Sequence, residues 1–215
     1  MNRNKITQKT YNSSADHYFE KVQGSQLYNT SYDHFCTLLP KDASVLELGC
    51  GPGNVTQYMM QKRPDVRFLG IDVAQNMVAL AKKNNPNAEF LQMDCRKLNR
   101  LDQKFDAVLA AFVFPYLNQK ECSELIGNFV PLLSAQGLVY ISTMEGSQSS
   151  SGYEHTSFGG ENLVYINYHQ DSFIKNTLLD QHFEILKFMR QDCQEPDGRT
   201  FNDLIYIARK NKEIP

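Results

Sequence analysis

The sequence lacks three features that would each indicate a specialised class of protein. Its 215 residues contain no run near the ~20 apolar residues that a membrane span needs. Residues 1–5 lack the apolar core of a secretory signal. A net charge of −2 gives no broad positive field of the kind that dedicated nucleic-acid binders carry. We therefore expect a soluble protein with no membrane segment and no nucleic-acid partner.

Paired cysteines are also missing. The five cysteines are scattered, form no C-x-x-C motif and are odd in number. Such a pattern argues against a disulfide framework and indicates reduced, mostly buried thiols, which favours a cytoplasmic protein. The chain length and the 41% apolar content fit a single domain over residues 1–215.

The most informative segment is the ten-residue run LELGCGPGNV. An apolar strand leads into Gly49, Gly51 and Gly53 before a helix, and the absence of Cβ atoms lets a ligand lie against the backbone. The run departs from the dinucleotide fingerprint G-x-G-x-x-G, because Asn54 stands where the last glycine would be. Glu47 adds a negative charge that would repel a phosphate but suits a ligand carrying an ammonium and a sulfonium.

From residue 43 the chain alternates between apolar strands and helices. Strands are predicted at residues 44–48, 66–71, 89–93, 105–111 and 138–143. Asn54 is expected to cap the first intervening helix, and Asn118 with Glu121 to open a later one. Crossovers of this length imply parallel strands with helices on both faces.

The flanking segments follow other patterns. Residues 1–42 are predicted to form a helical cap in front of the α/β core of residues 43–215. After a mobile loop at 146–160, a helix capped by Asp171 leads to strands at 183–190 and 201–208, joined by a turn at 195–198. Such a pair is antiparallel. The sequence thus predicts an α/β fold: a doubly wound, mostly parallel seven-stranded sheet with a C-terminal antiparallel hairpin.

Four segments together resemble the class I S-adenosylmethionine-dependent methyltransferases. They are the glycine turn, LGID at residues 69–72, FLQMDC at 90–95 and FDAVLAA at 105–111, in the family's order and spacing. The resemblance covers the chain from residue 45 onward. It implies a Rossmann-like fold, S-adenosylmethionine as cofactor, no metal, and methyl transfer to a small-molecule acceptor by in-line displacement.

The resemblance also assigns cofactor contacts. Asp72, which ends the second strand, would accept the ribose hydroxyls, with a helix cap as the alternative. Val73 and Met77 would flank the adenine, or belong to the core. Asp94 would bind the adenine amino group and the Cys95 N–H a ring nitrogen, with a surface aspartate as the alternative.

The remaining expected cofactor contacts come from the backbone and the cap. The strand-end carbonyls of Ala110 and Ala111 would hold the methionine ammonium. Tyr11 would reach the cofactor from the cap, although packing on the sheet explains it equally well. The expected site also includes the acid Glu47 and four residues of the glycine turn: Gly49, Cys50, Gly51 and Gly53.

Four residues are candidates for substrate contact or catalysis: Tyr18, Tyr116, His155 and His169. Tyr116 follows the fourth strand, where the chain should face the methyl group, but the proline before it lacks the Asn or Asp typical of methyltransferases acting on amides or adenine. Packing is the alternative for both tyrosines, and capping or surface exposure for both histidines.

Other functions stay open at this point. They are methyl transfer to RNA or protein, a non-catalytic cofactor-binding module, and a nicotinamide oxidoreductase, which Asn54 and Glu47 disfavour. The acceptor, the need for a general base and the choice between monomer and homodimer are not determined by the residues. The same scaffold serves many substrates.

Overall fold

The apolar runs of the sequence form the strands of a large sheet in the computed structural model, which describes residues 3–156, 158, 162–194, 198 and 200–211. The strands are β1 (Ser44–Leu48), β2 (Arg67–Asp72), β3 (Glu89–Gln92), β4 (Phe105–Ala111), β5 (Leu133–Met144), β6 (Gly152–His155), β7 (Leu163–Ile166), β8 (Phe183–Gln194) and β9 (Thr200–Lys210). The helices are α1 (Arg3–Ser13), α2 (Ala15–Val22), α3 (Asn29–Leu38), α4 (Asn54–Lys62), α5 (Gln75–Asn84), α6 (Gln119–Leu132) and α7 (Asp171–Asp180).

Seven strands pair in the order β3-β2-β1-β4-β5-β9-β8. Strands β1 to β5 run parallel, whereas β9 is antiparallel to both β5 and β8. The predicted doubly wound sheet with a C-terminal antiparallel pair is therefore confirmed. Because β2 and β4 lie on opposite sides of β1, the winding direction reverses there, which opens a crevice at the carboxyl ends of these strands.

The alternation of side chains along β1 divides the core between the two faces of the sheet. Leu46 and Leu48 are fully buried in a cluster that includes α6 and α7. Val45 points the other way, into a cluster that includes α3 and α4. Both faces of the sheet are thus covered, as expected for parallel strands that are apolar on both sides.

Helix starts differ from the predictions at two places. Asn54 is not the cap of α4 but its first residue, since Gly53 precedes the helix in a left-handed conformation with φ of 80°. Asp171 is likewise the first residue of α7, after Gln170. The predicted capping box of α6 is confirmed, because Asn118 and Glu121 each accept a hydrogen bond from the other's backbone N–H at 2.9 Å.

The segment predicted as one mobile loop contains ordered structure. Strand β6 pairs antiparallel with β7, forming a separate two-stranded sheet. Ser157 and residues 159–161 between these strands lie outside the described residues, as do residues 195–197 of the predicted turn between β8 and β9. A short strand pair inside a connection rich in Ser and Gly has little periodic signal, which explains why the sequence pattern did not predict it.

Two expectations from composition can be compared with the structure. All five cysteines are free and buried, in agreement with the expected burial of these thiols. Among the residues that the structure describes, no helix is both long and apolar enough to cross a membrane.

We predict that Gly53→Ala destabilises the protein by about 1–3 kcal/mol. The residue needs a positive φ, and an added Cβ would overlap the side-chain amide nitrogen of Asn85. The measurement is urea denaturation followed by circular dichroism. Gly152→Ala is the matched control, because a Cβ there meets no atom within 4 Å. Equal stability changes in the two variants would contradict the assignment of strain to Gly53.

Candidate functional site

Two adjoining cavities lie at the carboxyl ends of the central strands. We call them the Asp72 cavity, of about 160 Å³, and the Glu47 cavity, of about 200 Å³. Both occupy the crevice where the winding direction of the sheet reverses, the usual ligand position in such folds. Five residues line both cavities: Tyr18, Gly49, Gly51, Ala111 and Phe112.

The glycine turn forms the floor between the cavities. Gly49 and Gly51 have φ values of 59° and 52°, a region that side chains disfavour. A Cβ on Gly49 would lie 2.8 Å from Cγ2 of Val113, whereas the nearest atom to a Cβ on Gly51 is Cε1 of Tyr18, at 3.6 Å. Bare backbone at Gly51 therefore leaves room for a ligand to lie against the turn.

Asp72 fixes the position of this turn. One carboxylate oxygen accepts the N–H of Gly51 at 3.0 Å, and the other accepts the N–H of Ala74 at 2.8 Å. Burial raises the pKa of Asp72, while these N–H bonds act in the opposite direction. The contact with Ala74 is the helix-start role weighed for Asp72. It leaves each carboxylate oxygen a further lone pair for a ligand hydroxyl.

Asp94 lines the same cavity beside Cys95 and Arg96. The Arg96 guanidinium donates to both carboxylate oxygens of Asp94, at 2.9 and 2.6 Å, and to Glu121 at 3.1 Å. Partial burial raises the pKa of Asp94, but the bonds from Arg96 outweigh it and lower the pKa below its usual value. Asp94 is thus ionised and held in place at the cavity wall.

Glu47 lies in the other cavity and is only 1% exposed. The hydroxyl of Thr56, on the facing helix α4, donates a hydrogen bond to its carboxylate. Burial raises the pKa of Glu47 to about 8, although the Thr56 bond opposes the shift. The negative charge expected from the sequence is therefore poorly solvated, and a nearby cation would favour it.

The end of β4 contributes backbone to both cavities. Ala111 lines the two cavities, whereas Ala110, which is fully buried in the core, is not among the lining residues of either. Phe112 follows with a φ of 56°, unusual for a bulky side chain. Its N–H donates to the carbonyl of Ser142 at 3.2 Å and to Oγ of Ser142 at 3.1 Å.

Aromatic rings from distant segments cover the Asp72 cavity. Tyr11 packs edge-on against Tyr18 and Tyr116, with ring centroids 5.4 Å apart in each pair. Phe158 packs on Tyr11 and Tyr18 at 5.3 and 4.9 Å. The hydroxyls of Tyr11 and Tyr116 share a hydrogen bond. These four residues, here called the aromatic cluster, bring together three of the tyrosines predicted to reach the site.

Helix α1 is attached at both sides of the Asp72 cavity. Thr10 donates its hydroxyl to the carbonyl of Leu163 at 2.7 Å, and the Thr7 hydroxyl accepts the N–H of Tyr165 at 3.2 Å. On the other side, the Gln8 amide donates to the carbonyl of Val73 at 2.9 Å. These hydrogen bonds hold α1 over the crevice, where the sequence predicted the N-terminal helices to lie.

Neither predicted histidine is among the residues lining the two cavities. His155 is exposed on β6. His169 is 1% exposed, and its Nε2 donates to the carbonyl of Phe114 at 3.0 Å. Burial lowers the pKa of His169, so the ring stays neutral. The structure thus separates both histidines from the crevice.

Most of the other predicted residues surround the two cavities. The Asp72 cavity includes Val73, Met77 and Cys95, and the Glu47 cavity includes Cys50. Gly53 lines neither and instead precedes α4. No group of three His, Cys, Asp or Glu side chains that could hold a metal occurs in the described part of the chain.

The sequence analysis did not identify Thr56 as the partner of Glu47 or Arg96 as the partner of Asp94. Thr56 carries no motif and gains its role only because α4 packs back against β1. Arg96 stands two residues after Asp94, a spacing that charged residues often show by chance.

Comparison with known proteins gives relatives for most of this chain. Residues 45–137 match the model of a family described as a methyltransferase domain. Malonyl-[acyl-carrier protein] O-methyltransferase of Bacillus anthracis is 30% identical over 77% of this chain and 58% of its own length. Trans-aconitate 2-methyltransferase of Escherichia coli is 34% identical over 45% of this chain and 37% of its own length. The chain spans about half the length of the curated relatives it matches.

The fold also matches solved structures. Magnesium protoporphyrin IX methyltransferase from Synechocystis, solved with bound S-adenosylmethionine, superposes with a TM-score of 0.73. The match covers 98% of both chains at 17% identity. Likeness at this identity is a likeness of fold, and the cavities described above occupy the crevice of that fold.

The burial of Glu47 predicts a pH dependence of stability. Its pKa rises from an ordinary 4.5 to about 8 on folding, so the folded protein retains a proton that the unfolded chain loses. Stability is therefore lost as the pH rises from about 4.5 to 8, by at most about 1.4 kcal/mol per pH unit. Urea denaturation at pH 5 to 9 should show a shallower loss for Glu47→Gln than for the unsubstituted protein. Parallel pH profiles would contradict this reading of Glu47.

Proposed function

We propose that this chain transfers the methyl group of S-adenosylmethionine to a small-molecule acceptor, because its sequence resembles the class I S-adenosylmethionine-dependent methyltransferases and residues 45–137 match the model of a methyltransferase domain. The observation that carries the proposal is the pair of cavities joined at a glycine turn, one bordered by Asp72 and the other by Glu47. An elongated ligand with hydroxyls at one end and positive charge at the other matches these two surroundings.

The residues of the Asp72 cavity fit the adenosyl half of the cofactor. Asp72 has free acceptor capacity for ribose hydroxyls, and Val73 and Met77 supply apolar surface for the adenine. Asp94 and the backbone of Cys95 border the same space. These roles rest on the positions of the residues and on the family resemblance.

The residues of the Glu47 cavity fit the methionine half. Glu47 offers a carboxylate that a cation would stabilise, and Ala111 brings backbone to the junction of the cavities. The positive φ values of Gly49 and Gly51 turn the chain without side chains in the way. When bound, S-adenosylmethionine supplies an electrophilic methyl group on a sulfonium, which the acceptor attacks opposite the sulfur.

Exclusion of water is the proposed role of the aromatic cluster. Tyr11, Tyr18, Tyr116 and Phe158 cover the cavity with large apolar surface, and attack on a methyl group is favoured in a dry, ordered site. Tyr116 lies on the loop after β4, so it is the member of this cluster that we propose contacts the acceptor. No role is proposed for His155 or His169, given their placement.

The lining of the two cavities offers few groups suited to act as a general base, which favours an acceptor that arrives ionised. The described lining of the two cavities contains no histidine, and the Asp94 carboxylate is bonded to Arg96. An ionised acceptor needs no general base. The malonyl group and trans-aconitate in the names of two relatives both carry carboxylates. We therefore propose a small organic acid as the acceptor class.

The organisation proposed for the whole chain follows the sequence analysis. Residues 1–42 form the cap and residues 43–215 the α/β core of one domain. We propose a cytoplasmic monomer or homodimer without a nucleic-acid partner, on the grounds of the reduced cysteines and the near-neutral charge.

Titration calorimetry with S-adenosylmethionine, S-adenosylhomocysteine and NAD tests the proposed cofactor. We expect both adenosyl ligands to bind. NAD should not bind, because its pyrophosphate would lie beside the Glu47 carboxyl group and not at a helix N-terminus that binds anions. A radiolabelled methyl transfer assay with malonyl and aconitate acids then separates an enzyme from a binding module. Binding of NAD alone would contradict the proposal, and tight adenosyl binding without any label transfer across a broad set of acids would favour the module.

Asp72→Asn should weaken S-adenosylhomocysteine binding by about 1.5–3 kcal/mol, or roughly tenfold to a hundredfold. The substitution removes a charged acceptor and one of the two N–H bonds that hold the turn. Calorimetry gives the change in affinity.

The matched control for Asp72→Asn is Asp106→Asn, which lies near the amino end of β4, at the opposite end of the parallel strands from the crevice. Its carboxylate accepts the N–H and the hydroxyl of Ser44, both at 2.9 Å. We expect Asp106→Asn to reduce stability without changing ligand affinity. Unchanged affinity in folded Asp72→Asn would refute the ribose contact.

A further inference from the structure

The junction of the two cavities has two large side chains. Of the five residues that line both cavities, Gly49, Gly51 and Ala111 contribute backbone or a single methyl group. Tyr18 and Phe112 contribute aromatic rings. A ligand that occupies both cavities would therefore lie beside these two residues.

Phe112 holds its place at a conformational cost. Its φ of 56° is unfavourable for a bulky residue, and backbone strain of this kind is concentrated at functional sites. The two hydrogen bonds from its N–H to Ser142 hold the backbone in this conformation. The chain thus turns sharply after β4 with an aromatic ring at the cavity junction.

A second aromatic contact fixes the Phe112 ring. Tyr28 packs against it with ring centroids 4.9 Å apart. The hydroxyl of Tyr28 donates to the carboxylate of Asp203 at 2.6 Å, and Asp203 is 1% exposed. This hydrogen bond fixes the orientation of the Tyr28 ring, which in turn holds one side of the Phe112 ring in place.

Tyr18 approaches the junction from the cap. Its Cε1 lies over the glycine turn, 3.6 Å from where a Cβ of Gly51 would be. Edge-on packing against Tyr11 and Phe158 fixes the ring. The two rings therefore come from separate elements, α2 and the loop after β4, and meet the same point of the crevice.

We propose that Tyr18 and Phe112 recognise the positive charge of the cofactor sulfonium. The inference rests on the proposed function: with the adenosyl half in the Asp72 cavity and the methionine half in the Glu47 cavity, the sulfur that joins them occupies the junction. Aromatic faces attract cations, by about twofold to thirtyfold in binding constant. The neutral product S-adenosylhomocysteine lacks this attraction, so the rings favour the charged cofactor over the product.

The test compares the affinities of S-adenosylmethionine and S-adenosylhomocysteine by calorimetry, in the unsubstituted protein and in Phe112→Leu. We expect the substitution to weaken S-adenosylmethionine binding about 3- to 30-fold more than S-adenosylhomocysteine binding. Tyr18→Leu should act in the same direction and serves as a second variant if Phe112→Leu does not fold. Phe112→Tyr keeps the ring and should preserve the ratio of the two affinities.

Tyr58→Leu is the matched control, because this ring lies on α4 and its hydroxyl bonds Asp33 away from both cavities. Equal weakening of both ligands by Phe112→Leu and Tyr18→Leu would overturn the inference while leaving the cofactor assignment intact. Failure of the unsubstituted protein to bind either ligand would refute the proposed function, and this inference with it.

Discussion

The carboxylate of Asp72 joins the three segments on which the crevice depends. Its two oxygens bind the N–H of Gly51 in the turn after β1 and the N–H of Ala74 at the start of α5, while Asp72 itself ends β2. The turn takes positive φ values at Gly49 and Gly51, which glycine adopts readily. This one carboxylate therefore sets the distance between the turn and the neighbouring strand, and so the width of the Asp72 cavity.

Asp72 and Glu47, the acids at the two ends of the crevice, have different surroundings. Two N–H groups stabilise the ionised form of Asp72, whereas Glu47 has the Thr56 hydroxyl, and burial raises the pKa of Glu47 to about 8. A cation in the Glu47 cavity would favour the ionised carboxylate. A positively charged ligand would thus favour loss of the proton from Glu47 at this end of the crevice. Burial also raises the pKa of Asp72 at the other end, where two N–H bonds oppose the shift.

The sequence predicted the features that depend on local pattern. The strand positions and the capping box of Asn118 follow from residues within a few positions of each other, and the parallel direction of the strands follows from the length of the crossovers. The cap of α4 does not: Gly53 takes the left-handed conformation next to Asn85, whose side chain donates to its carbonyl at 3.0 Å. The β6–β7 pair was not predicted because both of its strands are short and lack a periodic pattern.

Site prediction worked for residues defined by the strand ends and less well for residues chosen by chemical type. Asp72 and Asp94 line the crevice because they end, or directly follow, parallel strands whose carboxyl ends meet there. His169 was a candidate for its imidazole, yet the fold buries it against the carbonyl of Phe114. Phe112 was not singled out, because a positive φ at a phenylalanine leaves no mark in the sequence.

The cap over the crevice is built from parts of the chain outside the family match. That match covers residues 45–137, whereas Tyr11, Tyr18 and Phe158 of the aromatic cluster lie before or after it. Helix α1 is also bonded to β7, through Thr7 and Thr10. The matched region therefore contains most of the residues proposed to hold the cofactor, whereas most of the aromatic cluster that covers the site lies outside it. We therefore propose that the cap and the β6–β7 pair contribute, together with Tyr116, to selectivity for the acceptor.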